Sequence, residues 1–249
     1  MSTGKLPDFI IVGCQKCGTT ALRHNLNTHP KISLVDSVSA KLNKEINFFR
    51  VGSSENTFFR GLTWYKSLFQ NDGNCWGESS PNYSFEPEIT SAKMFELHPT
   101  AKLVFIIRNP LDRAYSAYNH YLQVRPQSDA WGNWSPNEDF TINVERKSGF
   151  ATYDYNHILG TYIKEFSRNQ IHIVIQEQLL ATPQREFDKI FDFLGVESSG
   201  IKNTKVHCRK KKHELTVTER EYLSGYFKDS TYELYDLLGF KIPEWTEWP

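Results

Sequence analysis

No apolar run in this 249-residue chain approaches the ~20 residues that span a bilayer, so no membrane insertion is expected. Met1 to Asp8 likewise lacks the continuous apolar core of a signal peptide, so the expected setting is the cytoplasm. There is no charge excess of either sign: 29 basic residues balance 29 acidic ones, and a global basic footprint for nucleic acid is absent. Internal repeats and low-complexity tracts are also missing. Cysteine is scarce, with four in total, and Cys75 and Cys208 are too scattered to complete a zinc knuckle with Cys14 and Cys17. What remains is enough chain to bury a sizeable core in one domain spanning 1–249, with apolar strand runs and helical patterns alternating as in a parallel α/β sheet.

The first such run, Phe9-Ile10-Ile11-Val12, leads into Gly13-Cys14-Gln15-Lys16-Cys17-Gly18-Thr19-Thr20. Leu22 and Leu26 then recur at helical spacing until His29-Pro30 ends the pattern. The loop therefore joins a buried strand to a helix, where backbone N–H groups and the helix dipole hold phosphate oxygens. Gly13 and Gly18 are spaced as in G-x-x-x-x-G-K-[ST], yet Thr19 follows the second glycine and the loop's lysine is Lys16. That displacement argues against a magnesium-dependent ATP or GTP site.

A second strand run, Leu103 to Ile107, ends at Arg108-Asn109-Pro110-Leu111-Asp112. Asn109 suits a helix N-cap, Pro110 the first helical position and Asp112 the first turn. Residues 109, 112 and 116 then share a helical face, so Ser116 and the strand-end Arg108 are expected to converge on one anion. Near the carboxyl terminus, Arg209-Lys210-Lys211-Lys212 precedes a helical stretch expected from about Thr218 to Leu238. In a balanced chain this local run reads as an anion clamp rather than a nucleic-acid stripe.

Together these segments resemble the sulfotransferases that use 3′-phosphoadenosine 5′-phosphosulfate (PAPS), and among them the heparan-sulfate and related carbohydrate enzymes. The resemblance covers about residues 7–240. It implies a single-domain, P-loop-like α/β fold with a central parallel sheet flanked by helices, PAPS as donor, PAP as product and no metal. It assigns Gln15, Lys16, Cys17, Gly18, Thr19 and Thr20 to the 5′-phosphosulfate, and Arg108 and Ser116 to the 3′-phosphate. Lys210, or its neighbours Arg209 and Lys211, would close over that phosphate. Lys44-Glu45-Ile46-Asn47-Phe48-Phe49 matches the family's K-E-x-x-F-F, making Glu45 the expected base and Lys16 the group that offsets developing charge. His120 matches a histidine of the N-sulfotransferase branch and is a second catalytic candidate. The implied partner is an acceptor hydroxyl or amine, on a carbohydrate or on a small-molecule alcohol or amine. A luminal domain cut from a Golgi enzyme is the alternative setting.

Glu78-Ser79-Ser80-Pro81-Asn82-Tyr83 resembles the family's E-K-[ST]-P-x-Y segment along the acceptor cleft, with Ser79 where the heparan branch has a lysine. The late cysteine pair of that branch is missing as well, and both departures argue against a heavily sulfated acceptor. Trp131 and Trp134, in the irregular stretch 125–139, are candidates to stack on a sugar or aromatic acceptor. Two alternatives come from other classes. Cys14-x-x-Cys17 at a strand-to-helix junction also suits a thioredoxin-like redox pair. A non-catalytic PAP-binding module would keep the anion sites without acceptor chemistry.

Overall fold

The computed structural model describes residues 4–35, 45–53, 55–124, 139–145, 153–201 and 214–248. In chain order the elements are β1 (Phe9–Gly13), α1 (Thr19–Leu26), β2 (Ile32–Leu34), α2 (Gly61–Ser67), β3 (Cys75–Ser79), α3 (Pro87–Leu97), β4 (Lys102–Ile107) and α4 (Pro110–Val124). They continue with α5 (Phe140–Glu145), α6 (Tyr155–Glu165), β5 (Ile171–Ile175), α7 (Gln176–Ala181), α8 (Pro183–Leu194), α9 (Val217–Tyr226) and α10 (Lys228–Leu238). The chain divides into two compact units. One comprises 1–107 and 161–206, the other 108–160 and 207–249.

The first unit holds a five-stranded sheet in the order β2-β3-β1-β4-β5, every pairing parallel. Each residue of β1 is buried, as expected of a central parallel strand covered on both faces. Its neighbours are set in register by Ile10 opposite Glu78 of β3 and opposite Leu103 of β4. Because β2 and β3 lie to one side of β1 and β4 and β5 to the other, connections diverge at the carboxyl end of β1. A crevice at such a switch point is where parallel α/β sheets bind ligands, and the glycine-bearing loop leaves β1 there.

An aromatic cluster packs beside the sheet in the same unit. Phe48 stacks on Tyr65 with ring centroids 4.2 Å apart, and Phe49 meets Tyr65 and Tyr83 edge-on. These rings are fully buried and anchor the segment that follows Glu45.

In the second unit, Asn109 caps α4 as its sequence implies: its Oδ1 accepts from the backbone N–H of Leu111 at 3.0 Å. Its Nδ2 donates to Glu247, which also receives Arg220 at 2.9 Å. The long carboxyl-terminal helix expected from the sequence is two helices. Thr216 and Glu219 form a capping box at the start of α9, and the chain leaves helical geometry at the buried Phe227 (φ −91°, ψ 1°), two residues after Gly225 has weakened the helix.

Candidate active site

The loop after β1 is tightly bound to its surroundings. Cys14 donates its N–H to the carbonyl of Ile106 at 2.8 Å, and Gln176, at the start of α7, donates from Nε2 to the Cys17 carbonyl at 2.8 Å. Packing disfavours a side chain at Gly13, and backbone conformation disfavours one at Gly18. A Cβ on Gly13 would stand 2.8 Å from Ser84 Oγ, and one on Gly18 would stand 2.7 Å from Gln176 Nε2. Gly18 has φ +96°, and Lys16 adopts φ +67°, a left-handed conformation that a lysine takes at some cost. Gly18 precedes α1 with no side chain capping the helix, so its first turn is presented to a ligand rather than to the protein's own carboxylate or hydroxyl. With the hydroxyls of Thr19 and Thr20 and the ammonium of Lys16 in the same loop, these residues fit a phosphate or sulfate group.

Beside the loop lies a cavity of about 260 Å³ lined by Thr19, Thr20, Arg23, Val35, Glu45, Ile46, Ser79 and Pro81. The structure thus brings the two threonines and Glu45 to one space. Lys16 is half-buried in the loop and is not part of that lining. Gln15 reaches the site indirectly: its Nε2 donates to Asn82 Oδ1, and Asn82 Nδ2 donates to Glu45 Oε2 at 3.0 Å. Cys14 and Cys17 form no disulfide and have no exposed surface, and Cys17 Sγ lies 3.6 Å from the Gln15 carbonyl. Cys17 thus shapes the loop from beneath: its N–H donates to the Cys14 carbonyl and its carbonyl accepts from Gln176.

Segment 78–83 divides its work by strand alternation. Ser79 faces the cavity, whereas Glu78 points inward, away from any acceptor, and is fully buried. Its Oε1 accepts from Tyr65 at 2.7 Å and Tyr83 at 2.8 Å, and its Oε2 from Ser80 at 2.7 Å. Burial pushes the Glu78 carboxyl above the usual range, while the three hydroxyls pull it back. The same hydroxyls hold the segment that follows Glu45, because Ser80 Oγ accepts the N–H of Asn47 at 3.0 Å and the Tyr83 oxygen that of Phe49 at 3.4 Å. Glu78, Asn82 and Gln176 were not singled out as supporting residues from sequence. Glu78 and Asn82 carried a signal in the E-x-S-P-x-Y segment; Gln176 carried only its place after a strand.

Arg108, Ser116 and His120 belong to the second unit. Arg108 lies 3.5 Å from Asp112 on the first turn of α4, and Ser116 and His120 are one turn apart on that helix, both partly exposed. Arg209, Lys210 and Lys211 lie outside the described residues, as do Trp131, Trp134 and Cys208. Among the described residues no group of three or more His, Cys, Asp or Glu side chains is arranged to hold a metal ion, and no helix is long and apolar enough to cross a membrane.

A glycine-bearing strand-to-helix loop at the switch point of a parallel sheet, with a carboxylate in the adjoining cavity, defines a P-loop-like protein built for transfer of an anionic group. The chain belongs to the sulfotransferase domain family, whose model matches residues 6–217. The bifunctional heparan sulfate N-deacetylase/N-sulfotransferase 3 of Mus musculus is 29% identical over 279 residues, covering 97% of this chain and 31% of the relative. Human bifunctional heparan sulfate N-deacetylase/N-sulfotransferase 1 is 27% identical, again with 97% and 31% covered. The chain therefore spans about a third of the length of these relatives. Among solved structures, a sulfotransferase from Alicyclobacillus acidocaldarius superposes with a TM-score of 0.75 at 27% identity, covering 96% of this chain and 98% of that one. The sulfotransferase domain from the curacin biosynthetic pathway shares the fold, with a TM-score of 0.51 at 17% identity over 78% of this chain and 75% of its own.

Proposed function

We propose that the chain transfers a sulfuryl group from PAPS to an acceptor hydroxyl or amine, on a carbohydrate in preference to a small-molecule alcohol. The observation that carries this is the shared cavity, in which the hydroxyl-bearing first turn of α1 and the carboxylate of Glu45 meet. The carbohydrate preference rests on the relatives named for heparan sulfate chemistry. All 249 residues act as a single catalytic domain in this proposal.

PAPS, when bound, supplies the sulfuryl group on a phosphate leaving group. The backbone and hydroxyls of Gly18, Thr19 and Thr20 hold the 5′ end, while Arg108, Ser116 and one cation from Arg209 to Lys211 take the 3′-phosphate. Glu45 accepts the proton of the acceptor as its oxygen or nitrogen bonds to sulfur. The bond from sulfur to the 5′-phosphate oxygen breaks, and Lys16 offsets the charge left on that oxygen. Positioning and charge stabilisation supply most of the rate, as in phosphoryl transfer. Asn82 keeps Glu45 oriented, and His120 is the second candidate for proton transfer.

Calorimetric titration with PAP, 5′-AMP and ATP, with and without magnesium, tests the donor class. The expected result is a metal-independent preference for PAP of at least ~1.4 kcal/mol, tenfold in affinity. A preference for ATP, or no nucleotide binding, would overturn the proposal. PAP binding without transfer from PAPS to any acceptor would identify a non-catalytic binding module instead.

A further inference from the structure

Arg23 lies three and four residues after Thr20 and Thr19 on α1, one turn along, so it shares their face of the helix. Its side chain lines the same cavity as Glu45 and Ser79. Among the described residues it has neither an ion pair nor a hydrogen bond, although the residue is only partly exposed. No ion pair joins it to Glu45, whose Oε2 accepts from Asn82. Complementing the helix dipole does not explain the placement either: His24, exposed in the same last turn, can do that without facing the cavity.

We infer that Arg23 is a specificity-determining residue that binds an oxyanion of the acceptor, a carboxylate or sulfate next to the reacting hydroxyl or amine. This rests on the sulfotransferase function proposed above. An acidic acceptor approaching Glu45 meets like-charge repulsion, and a guanidinium in the same cavity offsets it. The planar fork of arginine also fixes orientation, because it matches a carboxylate or sulfate with two parallel N–H bonds. The uncharged Ser79 on β3 leaves Arg23 as the cation of the described lining, so the charge that recognises the acceptor comes from α1.

The test compares wild type, Arg23→Ala and Arg23→Lys in PAPS-dependent transfer to two probes. These are de-N-acetylated uronate–glucosamine oligosaccharides and the same oligosaccharides with their carboxylates reduced to alcohols. PAP affinity of each variant is measured alongside. The expected result is that Arg23→Ala lowers the ratio of kcat/KM for acidic over reduced acceptor at least tenfold, that Arg23→Lys lowers it less, and that PAP affinity stays within twofold. An unchanged ratio overturns the inference, as does a loss of PAP affinity, which would place Arg23 on the donor. Failure of wild type to use either oligosaccharide while binding PAP also overturns it and leaves the donor class standing. Failure to bind PAP removes the donor proposal and this inference together.

Discussion

Asn82 links the anion loop to Glu45: its Nδ2 donates to Glu45 Oε2 at 3.0 Å while its Oδ1 accepts from Gln15 Nε2. An ionised carboxylate only accepts, so Glu45 sets the sense of the Asn82 amide, and Asn82 in turn sets that of Gln15. Glu45→Gln should cut turnover about 100-fold or more with PAP affinity nearly unchanged. Asn82→Ala, losing one hydrogen bond to a charged group, should lower kcat about tenfold. In the double variant the Asn82 substitution should add little, because its effect runs through Glu45. Steady-state kinetics of the four proteins checks this; full activity in Glu45→Gln would remove Glu45 as the base.

Lys16 and Gly18 do different work in one loop. Lys16→Ala should weaken PAP binding and lower turnover together, since a cation that offsets leaving-group charge also attracts the bound anion. Gly18→Ala should instead destabilise the fold by about 1–2 kcal/mol, because an L residue at φ +96° is strained and its Cβ would displace Gln176. Urea unfolding and PAP calorimetry on both variants separate the roles; equal stability of Gly18→Ala and wild type would contradict the packing described.

Glu78 makes stability fall toward higher pH. Burial is the larger influence and raises its folded pKa above the ordinary value of 4.5. The neutral form is therefore favoured in the native state, so its stabilising effect is complete below that value and is lost as pH rises through the folded pKa. Glu78→Gln should flatten this decline in a series of urea unfolding curves above pH 4.5. Glu78→Ala should cost about 1–3 kcal/mol, since the hydroxyls of Tyr65, Tyr83 and Ser80 lose their acceptor. An unchanged pH slope in Glu78→Gln would show that the carboxyl does not titrate there.

His172 gives the opposite slope at the acid side. Its ring lies 5.2 Å from that of Phe193, and burial lowers its pKa from 6.5 to about 4. The unfolded chain takes up a proton that the native state refuses, so stability is lost as pH falls from 6.5 through about 4. His172→Phe should remove on the order of 2–3 kcal/mol of that loss. The buried His98, lowered in the same direction, supplies a remainder that persists in the variant. Tm measured across this window in both proteins provides the check; parallel curves would assign the acid limb elsewhere.

Much of this was legible in the sequence because local chemistry agreed with the fold. Phe9 to Val12 and Leu103 to Ile107 are apolar on every residue, which only a doubly covered strand tolerates, and Asn109-Pro110 carries its own cap. Gly13 and Gly18 marked the loop by spacing, and the structure supplies the reason in Ser84 and Gln176. Alternation inside β3 was not legible, since E-S-S-P-N-Y reads equally well with Glu78 in the cavity or in the core. Nor was the break at Phe227, a buried residue that ends one helix and starts the next inside a continuous helical pattern. Asn82 and Arg23 gain meaning only from neighbours distant in sequence.

The parallel sheet places its last strand at an edge that the chain reaches late. Leu103 pairs with Ile171 and Ile107 with Ile175, yet residues 108–160 intervene as the first part of another unit. During synthesis, one side of β4 therefore stays bare until the chain beyond Ile175 has left the ribosome, offering an unpaired apolar ladder to other nascent chains. A fragment ending before Ile171 should therefore aggregate rather than remain as a smaller sheet.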